Sequence, residues 1–188
     1  MKIVNKIIFL IIMSAIMSTK TVNSNISNYS SKKLDINSPS FLNDEFMPVK
    51  YGCSGENVSP ELSWMGAPDG TKSFALLVED PDAPKEIWVH WLLFNIDNDI
   101  FKLEEDFNIE DYKDKSKDIK QGKNSFGHNN YGGPCPPTGQ THRYIFRIYA
   151  LDTMLNLNEG STKEEFLDAI KNHILDQAEL VGLYKKNV

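Results

Sequence analysis

Tyr131-Gly132-Gly133-Pro134-Cys135-Pro136-Pro137-Thr138-Gly139-Gln140-Thr141-His142-Arg143-Tyr144 is the stretch from which the rest of the chain can be read. Glycine and proline stand too densely here for a helix or a central strand, since proline donates no amide hydrogen and glycine offers a strand nothing to pack. The run gives way to His142-Arg143-Tyr144-Ile145-Phe146-Arg147-Ile148-Tyr149, whose aromatic and β-branched residues suit a pleated strand. A loop shaped by prolines therefore feeds a strand. Period-two geometry puts His142, Tyr144, Phe146 and Ile148 on one face. An imidazole and a phenol beside such a loop suggest a site for a small ligand.

Working outward, Lys72 to Glu79 is a compact apolar run that reads as a buried strand. It ends in Asp80-Pro81-Asp82-Ala83-Pro84, which must be a turn. Trp88 to Ile96 is the longest strand candidate. Strict alternation assigns Trp88, His90, Leu92, Phe94 and Ile96 to one face and Val89, Trp91 and Leu93 to the other. With both faces apolar, it should be a central strand covered on both sides. Short strands are expected at Leu34-Asp35-Ile36 and from Phe46 to Lys50, with a turn-rich loop from Tyr51 to Asn57 and a last strand from Ala178 to Tyr184. Residues 97–120 carry many charges without a clear period and read as a solvated loop. Thr162-Lys163-Glu164-Glu165 fits a capping box, opening a helix whose apolar stripe is Phe166, Leu167, Ile170 and Ile174. The pattern is mainly β, with one helix near the C-terminus.

The chain has 188 residues, enough for one domain with a core. Residues 1–24 read as a signal peptide: Lys2 and Lys6 precede the apolar run Ile7 to Met17, and Val22-Asn23-Ser24 offers small residues for cleavage. An uncleaved anchor is the alternative, although the run is shorter than the about 20 residues of a membrane span. Residues 25–33 are polar and read as a flexible segment, leaving 34–188 as the domain. Losing residues 1–24 removes three lysines and no acids, which takes the formal charge from −6 to −9. So acidic a chain is a poor partner for nucleic acid. The chain's arginines are Arg143 and Arg147, which raises the question whether a planar guanidinium is required there. The two cysteines, Cys53 and Cys135, could form a disulfide after export to an oxidising compartment.

If neighbouring strands pair, Asp80, His90, His142 and Tyr144 converge. Imidazoles and a phenol can donate to an anion, and a carboxylate can hold a histidine protonated. Such a set suits a phosphate monoester or a phospholipid headgroup. Each residue also has a structural reading: a satisfied core histidine, a turn aspartate, a packed tyrosine. His128 and His173 read as surface or structural. No cofactor or metal motif stands out.

Asp80-Pro81-Asp82-Ala83-Pro84 with Trp88-Val89-His90-Trp91, followed by Tyr131-Gly132-Gly133-Pro134-Cys135-Pro136-Pro137 and His142-Arg143-Tyr144, closely resembles the phosphatidylethanolamine-binding protein family. The likeness is to its bacterial, Raf kinase inhibitor-like branch and runs from about Leu34 to Tyr184. It implies a β-sandwich, a large antiparallel sheet on a smaller sheet with a C-terminal helical element, and a shallow anion-binding pocket. By motif, Asp80, Trp88, His90, Pro136, His142 and Tyr144 fall at the pocket positions, and a cis peptide is implied near Ala83-Pro84. The expected function is that of an exported, periplasmic or secreted, binding protein for a small anionic, phosphorylated ligand. The alternatives are an inhibitor that contacts a protease or kinase, and a hydrolase using His90 or His142 as general base. Monomer and homodimer are both compatible with the sequence.

Overall fold

The computed structural model describes residues 33–112 and 119–186; residues 1–24 and most of 25–33 lie outside the described part. Among the described residues, nine strands and one α-helix occur in the order β1 Asp35–Asn37, β2 Glu45–Phe46, β3 Leu62–Met65, β4 Ser73–Asp80, β5 Trp88–Asp97, β6 Lys102–Leu103, β7 Lys120–Gln121, β8 Thr141–Leu151, α1 Lys163–Ile170 and β9 Ile174–Lys185. Six of the strands form one sheet in the order β2-β9-β8-β4-β5-β7, and three form a smaller one, β1-β3-β6. All pairings are antiparallel except β2 with β9.

The large sheet is covered on both faces, which is why β4 is apolar from Phe74 to Val78 and buried at every residue. On one face Phe74, Leu76 and Val78 of β4, with Phe146 and Ile148 of β8, pack against Ile36, Leu62, Trp64 and Leu103 of the small sheet. On the other, Ala75, Leu77, Leu92, Phe94 and Tyr149 receive Phe166 and Ile170 of α1. The helix begins as expected: Thr162 accepts from the Glu165 amide, and the Glu165 carboxylate accepts from the Thr162 amide. Its stripe is narrower than expected. Leu167 is exposed, and Ile174 already belongs to β9, so packing falls to Phe166 and Ile170.

Strand β5 departs from strict alternation at two bulges. Val78 pairs with Trp91 and Glu79 with Val89, which leaves His90 as an extra residue; Phe74 pairs with Ile96 and Leu76 with Leu93, which inserts a second one around Asn95. Asn95 has φ +58°, and its side-chain amide donates to the Leu155 carbonyl (3.0 Å) and accepts from the Leu155 amide (2.7 Å). Each insertion flips the phase of the residues beyond it. Trp91, Leu93 and Ile96 therefore face the small sheet, and Val89, Leu92 and Phe94 face α1, in place of the two sets expected from alternation.

Three further expectations are corrected. After β2 the chain turns into a 3-10 helix at Val49–Tyr51 rather than continuing as a strand to Lys50. Residues 97–120 are no mere solvated loop, because Ile100, Leu103, Tyr112 and Ile119 are buried in the main core. No cis peptide occurs among the described residues, so Ala83-Pro84 is trans.

Candidate functional site

The antiparallel register brings the site together at one end of the large sheet. Asp80 closes β4 and pairs with Trp88, the first residue of β5. On its other side β4 runs beside β8, where Glu79 pairs with Ile145, so His142 and Tyr144 come next along that edge. The glycine-proline loop closes over this end. It is tied to the loop from Tyr51 to Asn57 by three hydrogen bonds: Tyr131 hydroxyl to the Tyr51 carbonyl (2.9 Å), Gly133 amide to Asn57 Oδ1 (2.8 Å) and Cys53 amide to the Pro134 carbonyl (2.9 Å). Cys53 and Cys135 join the same two loops by a disulfide, with their Cα atoms 5.3 Å apart. The paired glycines have a steric reason. A Cβ on Gly133 would run into the Tyr51 carbonyl, and one on Gly132 would lie 2.6 Å from the Phe126 ring.

The result is an open cleft of about 450 Å³. Asp80, Trp88, His90, Pro136 and His142 line it, together with Ala83, Pro84, Phe126, Cys135, Pro137, Thr138 and Lys186. Tyr144 does not reach the wall. It shares the face of His142 but is wholly buried beneath His90, ring centroids 5.0 Å apart and edge to face, so it supports the floor. Its hydroxyl has no hydrogen-bond partner in normal geometry, and burial with the nearby Asp80 carboxylate raises its pKa.

The two histidines are held differently. Nδ1 of His142 donates to Asp80 Oδ2 at 2.8 Å, both side chains being buried, while Asp80 Oδ1 accepts the Asp82 amide at 2.8 Å. Nε2 of His142 lies 3.3 Å from Gln140 Oε1. His90 instead sends Nδ1–H to the Gly132 carbonyl at 2.5 Å, and the Gly132 amide returns a bond to the His90 carbonyl at 2.9 Å. Burial lowers the pKa of His90, against the opposing pull of the Gly132 carbonyl and the Asp80 carboxylate. Near neutral pH His90 is thus an uncharged imidazole whose one N–H is spent on Gly132, not a donor free for an anion as expected from the sequence.

Arginine contributes elsewhere. Arg143 grips Asp82 with Nε (3.0 Å) and Nη2 (2.6 Å), and that hydrogen bonding holds the Asp82 carboxyl down at about 2. Arg147 reaches Glu179 at 2.7 Å and Glu79 at 3.3 Å on the far side of the sheet. Both guanidiniums are spent on carboxylates. The cation on the cleft wall is Lys186, just past β9, whose Nζ sits 3.9 Å from Cys135 Sγ. His173 pairs with Asp152 at 2.7 Å, away from the cleft. Among the described residues no group of three or more His, Cys, Asp or Glu could hold a metal ion, and no cysteine is free to act as a nucleophile.

A model of the family described as phosphatidylethanolamine-binding protein matches residues 37–185. The chain belongs to the phosphatidylethanolamine-binding protein family. It is 49% identical over 140 residues to a UPF0098 protein of Methanothermobacter thermautotrophicus, covering 74% of this chain and 91% of that protein. A UPF0098 protein of Aquifex aeolicus is 40% identical over 156 residues, 82% of this chain and 90% of its own length. Among solved structures, a phosphatidylethanolamine-binding protein homologue of Chlamydia trachomatis superposes with a TM-score of 0.75 at 38% identity, covering 83% of this chain and 99% of that one. E. coli YbcL, described as a member of the mammalian family, gives 0.75 at 32% identity, with 81% and 98% covered. The sandwich and the bacterial branch expected from the motifs therefore stand.

Phe126 and Lys186 were not singled out from sequence. Phe126 packs edge to face on Trp88 and His90, at 5.4 and 5.5 Å, yet it sits in a polar stretch with no period to mark it. Lys186 comes after the last strand among other lysines, and the bond from the Gly139 amide to its carbonyl helps bring it to the loop. No helix among the described residues is long and apolar enough to cross a membrane.

Proposed function

We propose that this chain is an exported binding protein for a small phosphorylated anion, held in the cleft between the ends of β4, β5 and β8 and the glycine-proline loop. The observation that carries this reading is the pairing of donors and shape. The Asp80–His142 pair and the Lys186 ammonium line an open cleft whose walls are rigid prolines and a disulfide. Polar groups fixed before the ligand arrives cost little to organise on binding. The volume suits a phosphate with a small organic group. A disulfide between surface loops supports an oxidising compartment, in line with the leader expected at residues 1–24. A cysteine nucleophile is not available, because the cleft's sulfur is tied up in the bridge. Native mass spectrometry of protein purified without added phosphate tests the reading. A retained phosphorylated adduct, or uptake of inorganic phosphate that Lys186→Ala weakens, is expected. A chain that emerges empty and takes up no phosphate would defeat it.

A further inference from the structure

We infer that the cleft takes its anion in a protonated form, as a phosphomonoester monoanion whose P–OH donates to Nε2 of His90; this rests on the cleft being the anion site and fixes the chemical class that enters it. A carbonyl oxygen only accepts, so the 2.5 Å contact with Gly132 requires the proton of His90 on Nδ1. A neutral imidazole has one N–H, which leaves Nε2 as a lone pair. Among the described residues no hydrogen bond is donated to it. The ring is 2% exposed, lines the cleft, and is clamped edge to face by Phe126 and Tyr144, so it cannot turn to offer a donor instead.

The groups facing the ring decide its charge. From β4 Asp80 favours the imidazolium, while from β8 His142 opposes it, and the carbonyls of Gly132 and Gly133 favour it; burial outweighs them and keeps the ring neutral. Lys186 also lines the cleft. An unprotonated phosphoryl oxygen would meet the Nε2 lone pair with repulsion. A P–OH converts that contact into a hydrogen bond and leaves the other oxygens for the cationic side of the cleft. Phosphomonoesters, with a second pKa of about 6, hold such a proton on about half of the molecules at pH 6 and on a minority at neutral pH. Phosphodiesters, sulfate esters and sulfonates have none. A diester lipid headgroup is therefore a poorer fit than a small monoester.

Calorimetric titration of the full chain at pH 6.5 with methyl phosphate, methyl sulfate and dimethyl phosphate tests this. The monoanions of all three are tetrahedral and carry one charge, and only methyl phosphate has the acidic hydroxyl. The expected result is that methyl phosphate, counted as its monoanion, binds at least about tenfold more tightly than the other two, the scale of one buried lone pair left unmatched. His90→Gln, whose amide can donate, should bring methyl sulfate within about threefold of methyl phosphate. If that variant does not fold, the comparison in the unaltered chain decides alone. Equal binding of methyl sulfate and methyl phosphate overturns the protonated-ligand inference and leaves the anion site standing. Binding of none of the three removes the anion site itself.

Discussion

Replacing both cysteines, Cys53→Ser with Cys135→Ser, isolates what the disulfide contributes. The bridge closes a loop of 82 residues. In the chain-entropy treatment, cross-linking a loop of that length removes denatured-state entropy worth about 4.5 kcal/mol at room temperature. The native state has other means of keeping the two loops together. The bonds from Tyr131 to Tyr51, from Gly133 to Asn57 and from Cys53 to Pro134 do not need the sulfurs, and both cysteines are exposed, so serine is accommodated. The effect should therefore fall on the unfolded chain. Urea unfolding monitored by tryptophan fluorescence should give a loss of about 3 to 4.5 kcal/mol, with a steeper urea dependence because the unlinked chain exposes more surface. Near-UV circular dichroism should be unchanged. A loss below about 1 kcal/mol would refute the entropic reasoning, and a collapsed near-UV signal would show that the bridge, not the hydrogen bonds, holds the loops.

Asn95→Ala should cost about 2 to 3 kcal/mol, because it strands the Leu155 amide and carbonyl and puts alanine at positive φ; Asn95→Gly should lose less by relieving the second penalty, and equal losses would discount the bulge. Asp82 stabilises the fold with a depressed pKa, so its contribution is present above about pH 4 and disappears as pH falls through about 2. The gap in melting temperature between the unaltered chain and Asp82→Asn should accordingly narrow from pH 5 to pH 2, and a constant gap would contradict the assigned pairing with Arg143.

The fold was legible in the sequence wherever a single periodicity held. Strand β8 alternates cleanly as far as Ile148, so its inward face could be read, and the capping box at Thr162 announced α1. Strand β5 carries two inserted residues, and nothing in an apolar run such as Trp88 to Ile96 marks where pairing slips; the polar Asn95 was the available hint. Apolar residues between 97 and 120 reach the core singly, among charges, through short elements rather than one amphipathic run. The cleft was legible where motif and strand end coincide, at Asp80, Trp88, His90, Pro136 and His142. Lys186 was not, because a lysine after a strand has no local signature. The tautomer of His90 depends on a carbonyl 42 residues away in sequence, which no local pattern encodes.

The most direct test of the anion site is calorimetric titration of inorganic phosphate into the full chain and into His142→Ala. A melting curve would confirm that the variant is folded despite the uncovered Asp80. The structure places His142 on the cleft wall with its Nδ1–H committed to Asp80, so the variant removes the ring from that wall and bares a carboxylate toward the anion. The predicted result is a loss of about 1 to 3 kcal/mol in phosphate affinity, the range for a hydrogen bond to a charged group. Equal phosphate affinity in the two proteins would contradict the account, making His142 structural and placing any anion site elsewhere.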